Sequence, residues 1–323
     1  TTLFRSSMLR EDGSLGMFDT DLIELKKIIR NNLIDTDATV KILLNDLAAD
    51  DGKLIRGVFT LIGGSFGKIE KEKLINISAG VELLHLATLV HDDIIDEANI
   101  RRGKKTIHSK HGVKTGIFTG DYLFSQAYVI FSKNCSHKSI IDVSETIKSI
   151  CRGEINQFYS LYSLDSTIKS YLKRVSSKCA SLFSLSLSMG AYESNANIDI
   201  VKKLKSIGYS TGMAFQLIDD LLDITSSERI LGKPSGNDIK EGIYTMAVLY
   251  ELRRGNTHLR NYLKEGNFNE ALNLLKNSAG LKKTRETAQR YTNRALILAN
   301  ELPNTDESQA LKRIIAKMLL RDY

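Results

Sequence analysis

Proline is nearly missing from this chain of 323 residues, occurring only as Pro234 and Pro303. Proline breaks helix interiors, so long uninterrupted helices are easily accommodated, and a strand-rich chain of this size would carry more turn punctuation. Tryptophan is absent, and the Tyr and Phe residues are not interleaved with Lys or Arg as a base-stacking platform requires. The formal net charge of +7 comes from scattered basic residues with no block of like charge. That pattern argues against nucleic acid and for a basic cleft that receives phosphates. The three cysteines, Cys135, Cys151 and Cys179, form no CxxC pair and point to a reducing compartment. No apolar run approaches the roughly 20 residues of a membrane span. Thr1 to Gly13 carries no signal-peptide core, so the expected location is cytoplasmic.

What is present is helical periodicity. With 42% hydrophobic and 26% charged residues the chain can bury a sizeable core. From about Asp21 onward, apolar residues recur at three- and four-residue spacing, most clearly over 81–96, 140–163, 201–224 and 285–300. Glycines near Gly63–Gly64, Gly103 and Gly112–Gly120 mark expected helix breaks, and 226–242 is the longest polar loop candidate. No alternating strand and no flexible linker stands out. The expectation is a single all-helical domain over 1–323.

Two acidic clusters carry the chemistry. Asp92, Asp93 and Asp96 fall at helical spacings of three and four, so their carboxylates share one edge. Like charges there destabilise a helix, and the surrounding Leu83, Leu84, Leu86, Leu89, Val90, Ile94 and Ile95 imply burial. A solvated acidic turn is the plain alternative, but an acidic triplet on a buried helix calls for a cation. Hard carboxylate oxygens suit Mg²⁺ bridging to substrate phosphates. Asp219, Asp220 and Asp223 repeat the pattern, with Gln216 one turn earlier on the side of Asp220 and Asp223. Gly208 and Gly212 precede them and allow close approach of a backbone or ligand. Two such helices facing each other would present six carboxylates to several Mg²⁺ ions.

Cationic residues supply the complement for an anion clamped by those metals. Lys53 and Arg56 lie three apart, Arg101-Arg102-Gly103 follows the first cluster, and Arg suits bidentate phosphate binding while Lys acts as a point charge. His85 sits two helical turns before Asp92, where a lone helical histidine would otherwise be structural. Lys178 lies among small residues, and Lys233 follows the second cluster. Read alone, one is a surface lysine and the other a loop residue.

Taken together these residues resemble the trans-isoprenyl diphosphate synthases, the polyprenyl synthetases, from about Lys53 to Thr245. The matching segments are Gly52-Lys53, Arg56, His85, Asp92–Asp96, Arg101-Arg102-Gly103, Gly120-Asp121-Tyr122-Leu123, Lys178-Cys179-Ala180, Phe215-Gln216, Asp219–Asp223 and Gly232-Lys233. The resemblance implies an all-α isoprenoid-synthase helical bundle around a central cavity, a homodimer or one half of a heterodimer. It implies Mg²⁺ held by the six aspartates. Lys53, Arg56, His85 and Arg102 would hold the diphosphate of isopentenyl diphosphate. Arg101, Lys178, Lys233 and the metals would hold that of an allylic substrate, farnesyl or geranyl diphosphate, with Gln216 beside it. The chain departs from the family pattern at Asp51 for Gly, Gly57 for Pro, Cys179 for Thr, Ile243 for Lys and Ala247 for Pro.

Product length is expected to follow the side chains beneath the first cluster. Short-chain members of the family carry a large aromatic near positions 87 and 88; here Ala87 and Thr88 leave room for a long product, about C30–C40 or longer by analogy. Ala87 could instead serve close helix packing alone. A floor for the growing chain would lie among Leu123, Phe124, Tyr128 or Phe158. A short-chain C15–C20 synthase and a subunit with little activity alone are the alternatives within the family. Outside it, a terpene cyclase would replace the second cluster with an Asn/Ser/Glu motif. An HD-type phosphohydrolase read from His91-Asp92 lacks well-placed further ligands, and a non-catalytic partner would lack the clusters. A hydrophobic product suggests transient membrane contact on release.

Overall fold

The computed structural model describes residues 16–34, 37–48, 52, 54–225 and 236–319. Helices dominate them, as the periodicity leads one to expect. The described residues divide into two compact units, one holding those up to Asp142 together with Ser186–Lys202, the other Val143–Leu185 and those from Lys203 on.

The first unit contains α1 (Asp19–Asn32), α2 (Ala38–Ala48), α3 (Ile55–Gly64), α4 (Lys71–Ile95), the short α5 (Ile107–His111) and α6 (Val113–Asn134), with the start of α7 (His137–Phe158). Helix α4 is apolar enough to bury most of its surface, and Ile75, Ile77, Leu83, Leu84 and Ala87 lie in the core with Phe59, Ile62 and Phe131. Among the described residues it is also the one helix long and apolar enough to cross a membrane, contrary to the impression from residue runs, but most of that apolar window is buried within the protein. Gly116 and Gly120, expected to break a helix, instead lie inside α6. They let it approach α4 closely: a Cβ at Gly120 would fall 2.2 Å from the His91 ring, and one at Gly116 2.7 Å from Ile94. Gly112, with φ of 90°, does mark the start of α6.

The second unit contains the rest of α7, then α8 (Ile168–Val175) running through a π turn at Ser176–Ala180 into the first residues of α9 (Ser181–Glu193), and α10 (Ile198–Thr225) from Lys203 on, while Ser186–Lys202 belongs to the first unit. Beyond residue 235 follow α11 (Asn237–Lys240), α12 (Met246–Arg253), α13 (Thr257–Glu265), α14 (Phe268–Lys276), α15 (Ala279–Asn300) and α16 (Asp306–Leu319). Gly208 and Gly212 bring α10 against the backbone of Phe183 and Ala180, so the close approach they allow is that of a neighbouring chain segment. The helix expected to reach residue 163 stops at Phe158; Tyr162 turns left-handed, with φ of 59°, and its N–H donates to the Gly242 carbonyl.

Buried glutamates distant in sequence cap three helix starts. Glu82 accepts from the Gly57 N–H at 2.6 Å, Glu193 from the Ser136 N–H at 2.9 Å and Glu251 from the Gly280 N–H at 2.7 Å. Each satisfies an amide that the helix itself leaves unpaired and places negative charge at the positive end of the dipole.

Candidate active site

In the first unit the acidic cluster sits at the very end of α4. Asp92 and Asp93 occupy its last turn, and Asp96 is the C-cap, its N–H still donating to the Asp92 carbonyl at 2.8 Å. Glu97 takes a left-handed φ of 49°, and the N–H groups of Glu97 and Ala98 donate to the Ile94 and Asp93 carbonyls. This is a Schellman turn with glutamate where glycine is usual. Carboxylates at a helix C-terminus meet the negative end of its dipole, so a cation placed there is favoured twice over. Asp93 is 7% exposed, and burial pushes its carboxyl upward against the opposing pull of Arg101, whose Nε donates to Asp93 Oδ1 at 2.5 Å.

The chain returns Arg101 to that carboxylate by a feature the periodicity does not reveal. Ile100–Arg101 and Lys104–Lys105 form a two-residue antiparallel hairpin. Arg102 and Gly103 at its tip have φ of 51° and 79°, the combination of a type I′ turn, where asparagine and glycine are usual. Arg102 thereby comes to Gly52, where a Cβ would stand 3.5 Å from its Nη1. The positive charges of Arg56, Arg102 and Arg101, after burial itself, keep His85 neutral by pulling its pKa well down. The charges of Arg56 and Arg102 thus act on both His85 and buried Glu82. Glu82 gives no signal in the sequence, because its partner lies 25 residues away. Lys53 belongs to the same predicted group and lies outside the described residues.

Ala87 is fully buried, and the Thr88 hydroxyl donates to the His85 carbonyl at 2.7 Å, one turn back. Among the candidates for a floor, Leu123 is buried and Phe158 is 63% exposed. Among the described residues His91 joins no group of three possible metal ligands, as a phosphohydrolase would need: its Nε2 lies 3.2 Å from the Ile117 carbonyl on α6 and 3.5 Å from Asp121 Oδ1, and its ring rests on Phe124.

In the second unit the repeated cluster lies in the last two described turns of α10. Asp220 is buried and accepts from Gln216 Nε2 at 2.8 Å on Oδ1 and from the Tyr171 hydroxyl on Oδ2. Burial nevertheless raises its pKa to about 6, with the charge of Asp219 adding to the effect. Asp223 is buried too; the Asp238 N–H approaches its Oδ2 at 3.3 Å, and the Gly236 N–H donates to its carbonyl at 2.8 Å. Arg174 stacks on Tyr171 at 5.4 Å. Tyr171 and Arg174 escape a reading of local sequence because they act through a tertiary contact.

Lys178 occupies the π turn, a helix irregularity common at functional sites, and its Nζ pairs with Glu154 at 2.8 Å. Glu154, too, is a partner that no local pattern marks. Lys233 lies outside the described residues.

These donors suit a hard divalent cation. They are oxygen-only, and Asp93, Asp220 and Asp223 are all under one-tenth exposed, so their charge is held out of water at a cost that a cation offsets. Among the described residues, no three His, Cys, Asp or Glu side chains gather into a closed metal cage.

Residues 37–277 match the family model described as "Polyprenyl synthetase". The heptaprenyl diphosphate synthase component 2 of Geobacillus stearothermophilus is 35% identical over 277 residues, which cover 84% of this chain and 87% of that protein. The crystal structure of heptaprenyl diphosphate synthase from Staphylococcus aureus superposes with a TM-score of 0.87 at 32% identity, covering 95% of this chain and 99% of that one. A polyprenyl synthase from Caulobacter crescentus, crystallised with calcium and isoprenyl diphosphate, superposes with a TM-score of 0.89 at 26% identity, covering 96% and 97%.

Proposed function

This chain belongs to the polyprenyl synthetase family, a family of prenyltransferases with the all-α isoprenoid-synthase fold; on that footing we propose that it extends an allylic diphosphate with isopentenyl diphosphate to a long-chain trans-polyprenyl diphosphate. The observation that carries the reading is the repeated Asp-Asp-x-x-Asp cluster on two largely buried helices, once in each unit.

In this reading the allylic C–O bond breaks and pyrophosphate departs with the bonding pair. The double bond of isopentenyl diphosphate attacks the allylic carbon, and loss of a proton restores the alkene. The departing pyrophosphate can take that proton, so no side-chain nucleophile is needed. Asp92, Asp93 and Asp96 in the first unit, and Asp219, Asp220 and Asp223 in the second, would each hold Mg²⁺ with water and substrate phosphate. When bound, Mg²⁺ supplies positive charge to the leaving group. Arg56, Arg102 and Lys53 bind the diphosphate of isopentenyl diphosphate as fixed cations, and His85, held neutral, offers it a hydrogen bond without adding charge. Arg101, Lys178 and Lys233 serve the allylic diphosphate. On its arrival Arg101 has to loosen from Asp93, and Lys178 from Glu154.

Small, fully buried Ala87 beneath the first cluster supports a long product, as do the heptaprenyl synthases among the relatives. A second reading rests on a name: the Geobacillus relative is a "component 2", which favours a chain that works with a second, different subunit. Substituting Asp92→Ala or Asp219→Ala tests the central assignment. Each is expected to lower turnover about 1,000-fold or more, the scale set by removing charge stabilisation from a transition state, with the fold retained by circular dichroism. Activity within tenfold of wild type in either variant would remove that cluster from the mechanism.

A further inference from the structure

We propose that Glu82 is a positioning residue for the diphosphate site of the first unit: by accepting the Gly57 N–H it fixes the opening turn of α3, and with it Arg56. The inference rests on the synthase reading for the identity of the ligand.

The opening of α3 has no local means of holding its place. Its N-cap, Leu54, sits in the left-handed region with φ of 52° and offers no side-chain acceptor. The amides of residues 54–57 have no partner within the helix and need one from elsewhere. Glu82, only 8% exposed on α4, supplies one at 2.6 Å, and the Arg56 amide is also within its reach.

Glycine at 57 leaves room for this contact. A Cβ there would stand 2.7 Å from Leu25 Cδ2 and 3.2 Å from Glu82 Cγ. A proline, usual in the family at this position, would in addition remove the N–H that Glu82 accepts. This gives the departure at Gly57 a physical reason.

The same device at Glu251, which accepts from Gly280, is accompanied by Arg254 at 3.8 Å and the Asn256 side chain. Glu82 differs because the charges of Arg56 and Arg102 act on it and His85 lies one turn further along α4. A carboxylate beside those arginines works against anion binding by charge alone, so position and charge make opposite demands.

Glu82→Gln keeps an acceptor at the right reach and discards the charge. Glu82→Asp keeps the charge and withdraws the acceptor by one methylene. Calorimetric titration with isopentenyl diphosphate, together with KM for both substrates, separates the two. Glu82→Gln is expected to bind within about threefold of wild type. Glu82→Asp should bind about tenfold more weakly and raise KM for isopentenyl diphosphate while KM for farnesyl diphosphate stays within about twofold. Glu251→Ala, as the structural control, should lower the melting temperature without moving either KM. Unchanged binding in Glu82→Asp, or a loss in Glu82→Gln equal to that in Glu82→Asp, would overturn the proposal. Amide exchange at Gly57, faster in Glu82→Asp than in wild type, reads the contact without catalysis. A wild-type protein that forms no prenyl product would count against the synthase reading, while this exchange comparison still decides whether Glu82 holds Gly57.

Discussion

Asp220 receives hydrogen bonds on both carboxylate oxygens and still has its pKa raised from 3.8 to about 6, because burial and the neighbouring Asp219 outweigh the donors. The folded protein then holds this proton more tightly than the unfolded chain does. The contribution of this group to stability is greatest below about pH 4, falls as pH rises toward 6, and is constant above that. Asp220→Asn is therefore expected to raise the melting temperature at pH 7.5 by a few degrees, on the order of 1–3 kcal/mol, with a smaller gain at pH 4, and to lower activity sharply. Scanning calorimetry at the two pH values checks this; a lower melting temperature at pH 7.5 would show that the ionised group is well accommodated. Ala87 makes a different residue-scale demand. It has a single methyl and no exposed surface, so a ring in its place would push into the surrounding side chains. Ala87→Phe is expected to shorten the products by several isoprene units at nearly unchanged first-condensation rate, read by chromatography of dephosphorylated products. Products as long as those of wild type would place the length limit elsewhere.

At the scale of elements, close helix contacts are set by glycine in a way that hydrophobic periodicity cannot announce. A Cβ at Gly190 on α9 would fall 2.0 Å from the Thr60 carbonyl oxygen on α3, and one at Gly63 2.2 Å from that of Leu187. Since backbone cannot yield as a side-chain tip can, Gly190→Ala is expected to destabilise by about 2–3 kcal/mol. A lower urea midpoint with an unchanged slope would bear this out, and an unchanged midpoint would mean that the two helices can part freely. The long helices were legible because their apolar spacing is local information: 81–96 falls within α4 but for its cap, and 201–224 falls within α10. The hairpin at Arg101–Lys104 was not, since two-residue strands have no period and Arg102 is an uncommon residue for its left-handed position. Nor were the glutamate caps, whose partners lie 25, 57 and 29 residues away.

At the scale of the whole molecule, each unit carries one acidic cluster and its own cations. In the first, Asp93 is tied to Arg101, and the charges of Arg56, Arg102 and Arg101 act on His85; in the second, Asp220 is tied to Tyr171 and Gln216, with Lys178 held by Glu154. The acidic clusters and most of the cations could be found from residue type and spacing, because a carboxylate triplet on an apolar helix conflicts with burial unless something offsets it. Glu82, Glu154, Tyr171 and Arg174 could not, because each is defined by a neighbour that only folding supplies. The measurement that tests the account most directly is incubation of the purified protein with Mg²⁺, labelled isopentenyl diphosphate and farnesyl diphosphate, followed by sizing of the extracted products. The account predicts a Mg²⁺-dependent ladder reaching about C30 or longer, in keeping with the small side chains beneath the first cluster. Products that stop at about C20 would contradict the long-chain assignment, and no product from the folded protein, alone or with a partner subunit supplied, would contradict the synthase itself.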